Sequence, residues 1–381
     1  MRDILDFSAN INPLGPPSGV QEVLKQAVNE IAHYPEPQAR TLRTELAACY
    51  GVDPEEVIVG NGAAELIFLY CRAQEGLRAV VPVPTFSEYA LACHAAGGDV
   101  HSFPLAETEG FRLAGANFLG RYLQWKQTAV TGNGINKDPT VFLCHPNNPT
   151  GRLLPRSELN ELVAGLNEAG ASVFLDLSFF GFVPGECLEN GTLPAVPLEN
   201  YGEIIRGNGK RGSLFLLFSF TKLFAVPGIR LGFAIGPRQL IRAMEQKRDP
   251  WMVNSMAQRA GERCLKEKEY VAKSVELITA ARRELADGLA KIGGIRVFPG
   301  VANFLLCSLR ERQVKASTLV AAMAKEGILV RNAANFSGLD PYYIRLAVRR
   351  PAENAILLEK LETVLKETVF RSQESVVRSQ E

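Results

Sequence analysis

The sequence predicts an α/β fold, a large domain on a mainly parallel sheet joined to a smaller α+β domain, and three observations carry that prediction. The first is a set of short apolar strings at residues 57–59, 79–83, 141–144, 173–176, 214–219 and 231–235. Strings without polar alternation are what strands covered on both faces look like. The second is that longer mixed segments separate them, which leaves room for crossover helices. The third is length: 381 residues exceed one ordinary domain of roughly 150 residues and suffice for two or three units.

In chain order, residues 1–33 read as an amino-terminal arm and part of the small domain, with an amphipathic helix over 21–31. Residues 34–265 carry the six apolar strings and form the large domain. Residues 266–370 form the small carboxy-terminal domain: the long, charged, helix-favouring stretch 255–292 leads into strand 303–307, helix 316–326, strand 343–348 and helix 351–368. The Gly- and Asn-rich stretch 131–139 and residues 207–212 read as surface insertions. The end, 371–381, contains RSQE twice and reads as a solvated tail.

Composition excludes several classes of function. Lys and Arg number 42 against 41 Asp and Glu, for a net charge of +1, and no basic block interleaved with aromatics marks a nucleic-acid surface. The first residues have no apolar core and the longest apolar run, 214–218, is far too short to span a bilayer. Neither a signal peptide nor a membrane helix is expected. Cys49, Cys71, Cys93, Cys144, Cys187, Cys264 and Cys307 are scattered, odd in number and free of CxxC spacing. They read as reduced core thiols of a cytoplasmic protein, with no metal site expected.

In a parallel sheet the chemistry gathers beyond the carboxyl ends of the strands. String 57–59 is followed by Gly60, Asn61, Gly62, Ala63, Ala64 and Glu65, small residues that present backbone N–H groups at a helix start, an anion site or simply a turn. String 79–83 leads to Pro84, Thr85, Phe86 and Tyr89, aromatics whose plainest reading is core packing. String 141–144 ends in His145, Pro146, Asn147, Asn148, Pro149, Thr150 and Gly151, a rigid turn whose amides can face a ligand. Asp176 closes its string either as the partner of a buried cation or as an exposed strand-end acid. Ser219, Phe220, Thr221 and Lys222, with Pro227, Gly228 and Arg230 a short loop away, set a lysine just beyond an apolar strand. It is either a solvated charge or a desolvated amine that condenses with a carbonyl, with Ser219, Thr221 and Arg230 binding a phosphate.

The NPTG turn starting at Asn148, the acid at Asp176 and the SxTKxxxxPGxRxG string at 219–232 resemble, in order and approximate spacing, the fold-type I pyridoxal-phosphate enzymes of the class I and II aminotransferase superfamily. The resemblance covers nearly the whole chain. It implies a seven-stranded, mainly parallel sheet in the large domain, pyridoxal 5'-phosphate as cofactor, a small phosphorylated amino acid as substrate and a homodimer. It implies that Lys222 bears the cofactor and later shuttles a proton, that Asp176 keeps the pyridine nitrogen protonated, that Asn148 bonds the ring O3′ and that Phe86 stacks on the ring. Ser219, Thr221, Arg230 and the amides of Ala63 and Ala64 would hold the cofactor phosphate, with Tyr34 reaching in from the second subunit. Asn10, Arg331 and Arg345 fall at the substrate, Arg345 as a two-pronged partner for its carboxylate.

Within the superfamily, the string LDFSANINPLG at 5–15 resembles the threonine-phosphate decarboxylases of cobalamin synthesis; histidinol-phosphate aminotransferases usually have an acid where this chain has Ile11. The segment around Arg331 and Arg345 resembles the same branch, which implies that Arg331 binds the substrate phosphate. Two features depart from it. Leu177, Ser178 and Phe179 stand where the branch has acid, alanine and phenylalanine, and its amino-terminal His-Gly-Gly segment is not matched. Phe179 lacks the hydroxyl that most aminotransferases offer to O3′, which favours the decarboxylases. Decarboxylation and transamination use the same residue types, so the expectation is decarboxylation of threonine phosphate, with transamination as the alternative. A relative without turnover is disfavoured, because Lys222 and its phosphate ligands are all present.

Overall fold

The computed structural model describes residues 4–74, 76–129, 138–188, 191–206 and 212–378. Among these the strands are β1 (Leu5–Asp6), β2 (Val57–Gly60), β3 (Arg78–Val83), β4 (Asp99–Pro104), β5 (Thr140–Cys144), β6 (Ser172–Asp176), β7 (Leu214–Ser219), β8 (Gly232–Ile235), β9 (Arg296–Val297), β10 (Phe304–Ser308), β11 (Ile328–Leu329), β12 (Arg331–Asn332) and β13 (Tyr343–Ala347). Seven of them make the large sheet, in the order β2-β8-β7-β6-β5-β3-β4. It is parallel except for β8, which runs against both β2 and β7. The six apolar strings all lie in this sheet. The seventh strand, β4, has no counterpart in the sequence reading, because it is the edge strand and most of its side chains face water.

Along the strands, successive side chains serve two different cores. Val57, Val59, Val141, Val173, Leu175 and Leu216 join one face, while Ile58, Val81, Phe142, Phe174, Phe215 and Leu217 join the other. Both faces are buried, so the period of 2 is hidden in the sequence and unbroken apolar strings result. Each such side chain contributes roughly 1.5–3 kcal/mol by leaving water.

The small domain is built on the antiparallel sheet β12-β13-β10-β9. The arm is woven into it: β1 pairs with β11 in parallel, and Ala347 N donates to Phe7 O at 2.9 Å. The helix-favouring stretch 255–292 is two helices, Ser255–Cys264 and Lys268–Lys291, and the arm helix is Ser18–Ala27 followed by the 3-10 turn Val28–Glu30. The last helix runs Pro351–Arg378, past the expected end at 368 and into the segment read as a tail. Residues 379–381 lie outside the described residues, as do 131–137 and 207–211 of the two expected insertions. Among the described residues no helix is long and apolar enough to cross a membrane.

Candidate active site

Beyond the carboxyl ends of β5, β6 and β7, facing the arm and β13, lies a cavity of about 280 Å³. Of the site residues expected from the sequence, Asn10, Ala63, Ala64, Phe86, Asn148, Asp176, Ser219, Thr221, Lys222, Arg230 and Arg345 all line it.

The wall on the large sheet is set by strand ends. Asp176 is the last residue of β6 and is buried. Tyr89 Oη donates to its Oδ2 at 2.6 Å and Ser178 N donates to its Oδ1 at 2.8 Å. Burial pushes the carboxyl above its ordinary pKa, and hydrogen bonding from the Ser178 side chain, Tyr89 and the Ser178 backbone, with the field of Lys222, pulls it back. Lys222 sits in the single helical turn Phe220–Leu223 that follows β7. Its amine is pushed down to about 8, first by burial and then by the positive charges of Arg230 and Arg345, against the opposing pull of Asp176.

One end of this wall is shaped for an anion. The helix Gly62–Arg72 begins directly after β2, so the amides of Ala63 and Ala64 are among the unpaired N–H groups of its first turn. The hydroxyls of Ser219 and Thr221 lie 2.7 Å apart beside them. Glycine is required twice here. Gly62 has φ +80° and a Cβ on it would lie 2.4 Å from Arg230 Nη2, while a Cβ on Gly232 would lie 2.7 Å from Ala63 N. Arg230 itself is held at φ 58°, a left-handed backbone that a non-glycine residue adopts at a cost.

The opposite wall comes from the small sheet and the arm. Arg345, in the middle of β13, is buried with its guanidinium over the Phe304 ring at 5.4 Å. Its Nη1 donates to Asn148 Oδ1 at 2.6 Å and its Nη2 to Ser8 O at 3.0 Å. Its Nε and the nearby Asn10 Oδ1 have no hydrogen-bond partner among the described residues. Burial and the charge of Arg331 lower the Arg345 guanidinium to about 9. Asn12 fastens the arm to the lysine turn: its N donates to Lys222 O at 3.2 Å and its Nδ2 to Leu223 O at 2.8 Å.

Two expected residues are not in the cavity wall. Arg331 lies on β12 directly opposite Arg345 in the β12–β13 register, bonded through Nη2 to Asn335 Oδ1 at 3.0 Å. Tyr34 is 82% exposed, paired with Trp251 at a ring distance of 4.8 Å and not part of its own chain's cavity lining. Conversely, Tyr89 and Asn12 hold site residues without having been assigned a role, and Cys144, Ser178 and Ile11 line the cavity. Position just after a strand was the available signal for Tyr89. For the role of Asn12 there was none, since the partners of its Nδ2 are more than 200 positions away. Among the described residues no group of three or more His, Cys, Asp or Glu could hold a metal ion.

Known proteins resemble this chain over nearly its whole length. The family model for aminotransferase class I and II matches residues 2–361. A chain of Caldanaerobacter subterraneus subsp. tengcongensis, provisionally named threonine-phosphate decarboxylase, is 34% identical over 97% of this chain and 92% of its own length. Histidinol-phosphate aminotransferase 2 of Carboxydothermus hydrogenoformans is 30% identical over 94% of this chain and 91% of its own. Among solved structures, L-threonine-O-3-phosphate decarboxylase from Porphyromonas gingivalis superposes with a TM-score of 0.79 at 28% identity, covering 95% of this chain and all of that one.

Proposed function

The chain belongs to the aminotransferase class I and II family, and from that premise we propose that it is a pyridoxal-5'-phosphate-dependent decarboxylase converting L-threonine O-3-phosphate to (R)-1-amino-2-propanol O-2-phosphate for cobalamin synthesis. The observation that carries the substrate is the pair of arginines. Arg331 and Arg345 stand opposite each other on adjacent strands, so their side chains share one face, and Arg345 keeps a buried N–H without a partner. Like charges so placed are destabilising until anions neutralise them. A substrate bearing both a carboxylate and a phosphate supplies two.

The residues present suit the cofactor. Gly232 clears the space at the Ala63 amide and Gly62 leaves room for the Arg230 guanidinium, and the hydroxyls of Ser219 and Thr221 with Arg230 make a phosphate-binding donor set. Asp176 offers a carboxylate to a pyridinium. Asn148, whose Oδ1 is taken by Arg345, has its Nδ2 left to donate to a phenolic oxygen, and Phe86 supplies a ring to stack on. Pyridoxal phosphate, when bound, supplies a conjugated ring that accepts the electron pair of a bond broken at the substrate Cα. Lys222 has a pKa near 8, so it holds and releases a proton at Nζ within the working pH range. Loss of CO₂ requires one proton at Cα in exchange, and Lys222 is the group we assign to deliver it. Asn10 and Arg345 orient the substrate, and Arg331 binds its phosphate.

We read the enzyme as a cytoplasmic homodimer with Tyr34 contributing to the partner's site. The exposure of Tyr34 supports its place at an interface. The function is tested by product analysis after incubation with O-phosphothreonine, with and without a 2-oxo acid. Release of CO₂ without any 2-oxo acid is the expected result. Dependence on a 2-oxo acid, with an amino acid formed from it, would assign transamination instead.

A further inference from the structure

Tyr89 is a buried phenol that the proposed chemistry leaves without a task. It lies in the first turn of helix Glu88–Ala95 and is fully buried. Its ring stacks on Phe142 of β5 at 5.4 Å and meets Phe86 edge-on at 5.7 Å, and this packing fixes Oη 2.6 Å from Asp176 Oδ2. The groups facing the Asp176 carboxyl are Tyr89 from that helix, Cys144 from the neighbouring β5, Lys222 from the turn after β7, and Ser178. Cys144 is a neutral thiol, its pKa pushed up by burial and by Asp176. Lys222, its amine lowered to about 8, is still mostly charged at neutral pH, but its field lowers the Asp176 carboxyl less than the hydrogen bonds do. Hydrogen bonds therefore carry much of the stabilisation of an ionised Asp176: the side chain and backbone of Ser178 supply part of it, and Tyr89 adds a side-chain bond of 2.6 Å to Oδ2.

We propose that Tyr89 is a positioning residue: its hydroxyl keeps Asp176 ionised and holds Oδ2, so that the carboxylate remains able to keep a proton on a ring nitrogen. This rests on the reading of Asp176 as the partner of the cofactor's pyridine nitrogen. The phenol serves as a donor and does not ionise, because burial and the neighbouring Asp176 raise its own pKa. Ring and hydroxyl have separable tasks. The ring packs Phe142 and Phe86, which Phe would do equally well, whereas only the hydroxyl reaches Asp176.

The test uses the full chain without cofactor. The pH at which Asp176 takes up a proton is read from its carboxyl C=O band in infrared difference spectra, assigned by its loss in Asp176→Asn. Tyr89→Phe is expected to raise that pH by about one unit, a tenfold change in proton affinity, while the thermal midpoint moves by only a few degrees. Binding of added pyridoxal phosphate is expected to weaken about tenfold in the same variant. A folded Tyr89→Phe protein with an unmoved Asp176 titration overturns the proposal. If Tyr89→Phe does not fold, fluorotyrosine incorporated into the unaltered sequence makes the phenol a stronger donor and should lower the Asp176 titration; a titration that stays or rises overturns the proposal. Undiminished cofactor binding by Asp176→Asn would instead remove the reading of Asp176 at the pyridine nitrogen, and the cofactor-free titration would still decide the role of Tyr89.

Discussion

The two walls of the cavity differ in how completely they satisfy themselves. On the large-sheet wall, Asp176 has a partner on each oxygen and Ser219 and Thr221 bond each other. On the small-sheet wall, Arg345 Nε and Asn10 Oδ1 are buried without partners, and two arginines face each other across a ladder. Buried polar side chains are normally paired, so the side-chain orphans of the small-sheet wall mark where a ligand completes the hydrogen bonding, whereas the open donors of the large-sheet wall are the backbone amides of Ala63 and Ala64. The finished wall is suited to a resident group and the unfinished one to a molecule that comes and goes.

Substitutions should separate the two walls. The largest effect is expected for Lys222→Ala, which removes the amine from the finished wall: turnover should fall on the order of 10⁴-fold or more, with cooperative unfolding retained, as checked by single-turnover assay and thermal melting. Activity near that of the unaltered chain would remove Lys222 from the chemistry. Next to the unfinished wall, on the strand beside Arg345, Arg331→Ala should raise KM for O-phosphothreonine about thirty-fold or more, the equivalent of roughly 2–5 kcal/mol for one desolvated charge-assisted contact. The absorption of bound cofactor should hardly change. Equal losses for phosphorylated and unphosphorylated substrates would assign Arg331 a general role instead.

A smaller effect comes from pH. With the Lys222 amine at about 8 in the folded chain against an ordinary 10.5, the unfolded chain binds more protons at this site between those values. Stability of the cofactor-free protein should therefore gain a rising component as pH climbs from about 8 to about 10.5. Chemical denaturation across that range, compared with Lys222→Met, isolates it; identical slopes for the two proteins would show that the amine is not depressed. The smallest effect is expected for Phe179→Tyr, which adds a donor beside Asn148. The pH at which the holoenzyme's yellow band is lost should fall, by about a unit or less. A rise, or no movement, would take Phe179 away from the cofactor.

How far the site was legible follows from the range of the interactions involved. Lys222, Asp176, Asn148 and the Gly62 turn each stand directly after an apolar string, and a strand covered on both faces announces itself locally. The edge strand β4 did not, because half-exposed strands carry polar residues and blend with loops. The break between helices Ser255–Cys264 and Lys268–Lys291 was also hidden in a uniformly helix-favouring composition.

Which chemical groups the molecule owns, and which strand ends carry them, is set locally along the chain, because burial on both sheet faces forces continuous apolar strings whose last residues are readable one by one. What those groups meet is a matter of the folded arrangement. Arg345 reaches Asn148 across 197 positions, Tyr89 reaches Asp176 across 87, and Asn12 reaches Leu223 across 211. Arg331 faces Arg345 through a register that neither strand specifies alone. Such pairings depend on sheet order, register and the packing of one domain against another, and these are set by the whole chain's burial of apolar surface and satisfaction of polar groups, not by any local pattern.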